Sequence, residues 1–193
     1  MNTKLIKIFF SFFFIASIIS FPTFAASSEK PYVTYNYSLL DESQIPSPSS
    51  YLPDKIFRGE KIIDGGLNNP QDLFISDDGT VLIADTGNNR VIITDLDFKD
   101  SFAISGVNSN DLLKAPQGVF LSEDGLIYVA DTGNGRIVCF KSDGTFNHII
   151  PQPQSELLGE EFIYTPIKIA VSSLGNIYVV CENIYQGILE ITS

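Results

Sequence analysis

One run of residues is written twice in this chain, 46 residues apart. Pro70-Gln71-Asp72-Leu73-Phe74-Ile75-Ser76-Asp77-Asp78-Gly79 continues through Val81-Leu82-Ile83-Ala84-Asp85-Thr86-Gly87-Asn88-Asn89-Arg90-Val91. The second copy starts at Pro116-Gln117-Gly118-Val119-Phe120 and continues through Ile127-Tyr128-Val129-Ala130-Asp131-Thr132-Gly133-Asn134-Gly135-Arg136-Ile137. A third copy, less faithful, starts at Pro166 and carries Leu174-Gly175-Asn176-Ile177-Tyr178-Val179-Val180. A fixed period of 40-odd residues, made of short strands and turns, is the mark of stacked or radial repeats.

The second copy divides into four strand-sized pieces: Gly118 to Leu121, Ile127 to Asp131, Arg136 to Lys141 and Thr145 to Ile150. Asp124-Gly125 separates the first two, Thr132-Gly133-Asn134-Gly135 the next, and Ser142-Asp143-Gly144 the last. Asp-Gly tolerates the positive φ of a tight hairpin, so each repeat reads as an antiparallel four-stranded sheet. Such sheets arranged radially are propeller blades. The expected fold is all-β, a partial β-propeller of about three blades at about 70–106, 116–150 and 166–193. Gly79, Gly125 and Gly144 belong in hairpin turns, and Gly87 and Gly133 in the loop between second and third strands. The sheets are expected to pack face to face through Phe74, Ile83, Phe120, Val129, Ile169 and Val179. Phe74 and Phe120 share a repeat position, as do Tyr128 and Tyr178, which reads as blade packing rather than a stacking platform.

The Pro-x-Gly/Asp start, the Asp-Gly turn and the run Val-Ala-Asp-Thr-Gly-Asn-x-Arg-Ile resemble NHL repeats over about Pro70 to Ile150. In the third copy Cys181-Glu182-Asn183-Ile184-Tyr185-Gln186 stands in place of Asp-Thr-Gly-Asn-x-Arg. The resemblance implies a propeller, whose ring commonly closes by joining an N-terminal strand to the C-terminal blade. Propellers close with roughly four to eight blades, and the third repeat ends at Thr192-Ser193 after its third strand. Lys55-Ile56-Phe57 through Ile62-Ile63 precedes Pro70 much as Thr145 to Ile150 precedes Pro166, and reads as an outer strand awaiting a blade. The expectation is a truncated chain or a half-propeller that needs a partner.

Residues 1–25 read as a secretory signal peptide. Lys4 and Lys7 precede the apolar stretch Ile8 to Ile19, and Thr23-Phe24-Ala25 supplies small residues at the cleavage positions. Residues 26–53 form a Ser/Pro/Tyr-rich arm with a strand-compatible stretch at Tyr32 to Leu40 and a sequon at Asn36-Tyr37-Ser38. The propeller segment then occupies residues 54–193. Removing the leader leaves 10 basic and 23 acidic residues, a net charge of −13. So acidic a surface repels phosphate backbones, which excludes nucleic acid as a partner, and membrane contact is expected only if the leader stays uncut. In an exported protein Cys139 and Cys181 are able to pair, but they occupy non-equivalent positions in different repeats, and two buried thiols are expected.

Asp85, Asn88 and Arg90, with Asp131, Asn134 and Arg136, form the most conspicuous polar constellation. An aspartate entering a Gly-containing turn accepts backbone N–H bonds, and an arginine pairs bidentately with a carboxylate. Residues present in successive blades serve the blade, so all six are assigned to structure. No catalytic residue is assigned, because there is no Gly-x-Ser-x-Gly and the sole histidine, His148, has no nucleophile beside it. No metal site or cofactor is expected: His and Cys lack zinc-like spacing, and Asp77-Asp78-Gly79 lacks the ligand pattern of an EF-hand. The NHL family includes secreted lyases with histidine-bound zinc, and this chain lacks those histidines.

The function expected is a secreted or extracytoplasmic, non-catalytic binding or scaffold module. Its partner is an unidentified protein or small-molecule ligand, with self-association through open blade edges. The alternatives are part of a lactonase-like or lyase-like propeller enzyme whose active residues lie in other blades, and an extracytoplasmic sensor domain.

Overall fold

Tyrosine and β-compatible residues give the first of two units, Met1–Asp54, a small hairpin. Its strands are β1 (Tyr35–Tyr37) and β2 (Gln44–Pro46), paired antiparallel with Asn36 opposite Ile45. The computed structural model describes residues 35–46, 54–155, 158, 162–182 and 187–192. The candidate leader 1–25 lies outside the described residues, as does most of the arm.

Among its described residues the second unit, Lys55–Ser193, is all β apart from one turn of helix and short 3-10 turns. The stretch read as an outer strand, Lys55 to Ile63, is not one: it carries the short helix α1 (Gly59–Ile62). The reason is local. Gly65 and Gly66 adopt positive φ and turn the chain back. Ile62 is then buried against Val81, Ile83 and Ile92, while Phe57 packs on Phe98 with ring centroids 4.4 Å apart. A strand would place Ile62 and Ile63 on opposite faces; here the helix and the turn after it direct both toward one apolar surface.

Blade one is β3 (Asp72–Ile75), β4 (Val81–Asp85), β5 (Arg90–Thr94) and β6 (Phe102–Ile104), an antiparallel sheet in chain order. A two-stranded hairpin, β7 (Gly106–Asn108) and β8 (Asp111–Leu112), leads out of it. Blade two repeats the pattern with β9 (Gly118–Leu121), β10 (Leu126–Asp131), β11 (Arg136–Lys141) and β12 (Phe146–Ile150). Blade three has three strands among the described residues: β13 (Pro166–Val171), β14 (Ile177–Cys181) and β15 (Leu189–Ile191). Between blades the first strands β3, β9 and β13 meet one another, and the second strands β4 and β10 also meet the first strand of the next blade. Gly79, Gly125 and Gly144 take φ of 87°, 82° and 82° in their hairpin turns, a conformation that other residues resist.

Packing follows the period of two. In blade two Ile127 and Val129 face blade one, while Tyr128 and Ala130 face blade three, and all four are buried. β11 does the same, Val138 and Phe140 turning one way and Ile137 and Cys139 the other. Each such aliphatic side chain contributes about 1.5–3 kcal/mol by leaving water. Phe74 and Phe120 meet at 4.8 Å between centroids, and Ile169 and Val179 pack on blade two. Ile83 departs from the expected set. It lies on the far side of blade one, against Ile62 and Leu67, because it alternates with Leu82 and Ala84, which take the inter-blade face.

Cys139 and Cys181 are free thiols buried in the same cluster. Burial pushes them up to about 12 and about 11 respectively, so both stay protonated at neutral pH. Tyr164, in that cluster too, has a buried hydroxyl without a hydrogen-bond partner among the described residues, and burial pushes its phenol pKa up. An unpaired buried polar atom carries its desolvation cost with nothing to offset it. Tyr164→Phe is therefore expected to stabilise the protein by about 1 kcal/mol, raising the thermal midpoint by about 2–4 °C. A lower midpoint in a thermal melt would show that the hydroxyl has a partner.

Candidate functional site

The repeated polar residues gather within each blade, at the corner between second and third strands. Asp85 ends β4 fully buried. Its Oδ1 accepts the Asn68 N–H at 2.7 Å, and its Oδ2 accepts Asn88 Nδ2 at 2.9 Å and Arg90 Nε at 2.7 Å. Arg90 spends its remaining donors on the carbonyls of Asp64 and Gly66, and the Gly87 N–H binds the Asn68 carbonyl. The loop leading into the blade is thus held by the corner at its far side.

Blade two repeats the arrangement. Asp131 accepts the Lys114 N–H at 2.7 Å, Asn134 Nδ2 at 2.8 Å and Arg136 Nε at 2.8 Å. Here the arginine also forms a bidentate pair with Asp111, at 3.0 and 2.6 Å, and its hydrogen bonds hold the Asp111 carboxyl below the usual carboxylate range. The two triplets are not brought together into one ring of functional groups: each carboxylate is saturated inside its own repeat. In blade three the aspartate position holds Cys181, buried among apolar side chains.

Two connections between blades escaped the sequence reading. Thr86 Oγ1 donates to the Pro116 carbonyl and Thr132 Oγ1 to the Pro166 carbonyl, each at 2.6 Å. Both hydroxyls are buried, and each latches one blade to the chain entering or starting the first strand of the next. The second connection joins Asp72, Gly118 and Lys168, which occupy the same repeat position in the three blades. Asp72 Oδ2 accepts the Val119 N–H at 2.9 Å, and its Oδ1 pairs with Lys168 Nζ. Gly118 lies between them, where a Cβ would stand 2.7 Å from the Ile167 carbonyl oxygen. Three unlike residues at one repeat position were the available signal, since a position that serves each blade alone has no reason to differ.

At the other end of the first strands, the three first turns surround a cavity of about 590 Å³. Phe74 and Phe120 line it from blades one and two, with Val171 from blade three. Asp77, Glu123 and Ser173, again one repeat position, stand at its rim and are exposed. In blades one and two the turn serine, Ser76 or Ser122, donates to the turn aspartate, Asp78 or Asp124. In blade three Leu174 replaces that aspartate, and Ser172 Oγ accepts the Asn176 N–H, as Ser122 Oγ accepts the Leu126 N–H in blade two. The cavity falls within the range of small-molecule sites, about 300–1,000 Å³.

Nothing among the described residues assembles a nucleophile or a metal cage. His148 is exposed on β12 with Nδ1 2.7 Å from Asn147 Oδ1, and no group of three or more His, Cys, Asp or Glu is placed to hold a metal ion.

The NHL repeat family model matches residues 67–93 and 113–140. Each matched segment starts at the clamped loop and ends in the third strand, so it encloses the whole Asp–Asn–Arg corner. No curated protein matches the sequence. Among solved structures, the chain is similar to hydrazine synthase of Kuenenia stuttgartiensis, at 16% identity and TM-score 0.50, over 68% of this chain and 36% of that one. It is also similar to a luciferin-regenerating enzyme, at 15% identity and TM-score 0.50, over 66% of this chain and 46% of that one. A third similar structure is an extracellular domain from B. thetaiotaomicron, at 16% identity and TM-score 0.47, covering 65% of this chain and 17% of that one. The chain therefore spans less than half the length of these structures, and the likeness to the first two shows the fold alone, an all-β arrangement of propeller type. No helix among the described residues is long and apolar enough to cross a membrane.

Removing a saturated buried carboxylate leaves its donors unpaired. Asp131→Ala is expected to cost about 1–3 kcal/mol and to lower the melting midpoint. An unchanged midpoint with lost ligand binding would assign Asp131 to ligand contact instead.

Proposed function

We propose that this propeller segment, built on NHL repeats, is an extracytoplasmic binding module without chemistry of its own. Its ligand would sit in the cavity between the three first turns. The observation that carries this reading is a division of labour. The polar residues that repeat faithfully are spent on one another, whereas the rim brings Asp77, Glu123 and Ser173 from three blades to one opening. Loops at the ends of a rigid scaffold are where binding surfaces vary without disturbing the core. Export is supported by the leader-like start of the sequence.

The lining supports a ligand with a cationic head and an apolar body. Asp77 and Glu123 have no cationic partner among the described residues, and the Phe74 and Phe120 rings lie against the same cavity. A positive charge over an aromatic face gains about 0.5–1 kcal/mol at exposed sites. The acidic net charge concentrates cations at the opening.

Calorimetry with benzyltrimethylammonium, and with neutral benzyl alcohol as control, tests this reading. The cation is expected to bind more tightly, and Asp77→Asn or Glu123→Gln to weaken it by about two- to fivefold each. Ser173→Trp, which fills the opening, is expected to abolish binding, and the ligand is to be recovered with unchanged mass. A new product mass would overturn the non-catalytic reading. Equal binding of the neutral control would overturn the cationic one.

A further inference from the structure

The first turns differ from one another in a way that their folding does not require. In blade one Asp78 Oδ1 accepts the Thr80 N–H at 3.0 Å and the Ser76 hydroxyl, and in blade two Asp124 accepts the Ser122 hydroxyl. Blade three has Leu174 at that position, 88% exposed. The turn has given up a carboxylate that bonds its own residues, and the leucine packs into none of the buried apolar clusters found among the described residues. A single exposed leucine is ordinary on a protein surface. This one stands next to Ser173, at the mouth of the first-turn cavity.

Charge divides the mouth in the same way. Asp77, Asp78 and Glu123 line the cavity from blades one and two, and among the described residues no Lys, Arg or His lines it. Asp95 and Asp100 share a smaller cavity with Asp78, and Lys99 beside them is paired with Asp97. Lys141 and Asp143 flank Ser142, a lining residue from the β11–β12 turn, and offset each other. The turn of blade three, Ser172-Ser173-Leu174-Gly175-Asn176, is uncharged. The carboxylate of Glu190 accepts hydrogen bonds from Asn176 Nδ2 and the Tyr178 hydroxyl. The mouth is therefore acidic on two sides and neutral, with an exposed apolar tip, on the third.

Depth sets the order of groups in whatever enters. Asp77 and Glu123 stand at the rim, while the Phe74 and Phe120 rings line the wall from within their strands. A fitting ligand enters with an apolar group first and keeps its cation at the mouth. A lone Lys or Arg side chain has the opposite polarity, since its charge is at the tip. An aromatic side chain with a basic residue beside it in the same chain has the required order, and a further residue of that chain reaches Leu174. A small cation that fills the cavity leaves Leu174 bare. Aromatic anchors seated in a pocket, with charges matched around them, are a recurring way to hold a polypeptide.

We propose that the occupant of this cavity is a polypeptide segment of basic, aromatic and apolar residues. Its aromatic side chain enters against Phe74 and Phe120, its Lys or Arg lies at Asp77 and Glu123, and its apolar side chain covers Leu174. The proposal rests on the binding reading above and names the class of partner for that cavity.

Calorimetry on the purified chain with the acetylated and amidated tripeptide Lys-Phe-Leu provides the test. Lys-Phe-Leu is expected to bind about five- to tenfold more tightly than Lys-Phe-Ser, and more tightly than Glu-Phe-Leu or Lys-Ala-Leu. Leu174→Asn adds no charge and returns a hydrogen-bond acceptor to the turn, so the melting midpoint is expected to hold or rise. It is expected to bring Lys-Phe-Leu down to the affinity of Lys-Phe-Ser and to leave benzyltrimethylammonium binding unchanged. Equal binding of Lys-Phe-Leu and Lys-Phe-Ser, with benzyltrimethylammonium still bound, would overturn this proposal and leave the binding reading standing. Lys-Phe-Leu binding that is indifferent to Leu174→Asn would overturn it as well, because the peptide would then sit elsewhere. Failure of both the peptides and the cation to bind would overturn both readings.

Discussion

A buried carboxylate at the end of the second strand in blades one and two organises this structure. Withdrawing a charge from water is costly unless hydrogen bonds and a counter-charge replace the solvent. Asp85 and Asp131 meet that requirement by drawing in an asparagine, an arginine and the backbone of a loop 17 residues upstream. The corner therefore fixes three pieces of chain at once: the strand it ends, the strand it starts and the segment that delivers the blade. With the corner set, Thr86 and Thr132 stand where their hydroxyls reach the next blade, so the same six-residue run builds a blade and spaces it from its neighbour.

That double role explains why so much of the fold is legible in the sequence. Turn glycines, strand lengths and the alternation of buried side chains recur with the period and need no knowledge of distant residues. The segment from Lys55 to Ile63 was misread because its likeness to an outer strand is positional. Gly65 and Gly66 turn the chain, and the carbonyls of Asp64 and Gly66 are taken by Arg90, an attachment visible only once the corner is built. Ile83 was assigned to the wrong face for a related reason, since both faces of β4 are apolar and alternation alone does not say which one meets blade two.

Differences between the repeats hold the information about function, and they are the hardest part to read. Asp72, Gly118 and Lys168 look like drift until the ion pair is seen to pass beside the glycine. Asp77, Glu123 and Ser173 are ordinary turn residues until three turns converge on one cavity. Leu174, in the place of Asp78 and Asp124, alters what the turn serine is able to donate to. In each case the signal is a position whose neighbours lie in other blades, and such positions emerge only from the radial arrangement.

The threonine latch has a direction, since the hydroxyls of Thr86 and Thr132 both donate forward, to the carbonyls of Pro116 and Pro166. Blade three breaks the series, because the position of Thr86 and Thr132 is held there by Glu182, whose own N–H turns back to the Thr165 carbonyl. Blades one to three are thus joined both by the continuous chain and by a buried hydrogen bond. Opening one blade strips a buried partner from its neighbour, so the blades are expected to open as one cooperative unit rather than one at a time.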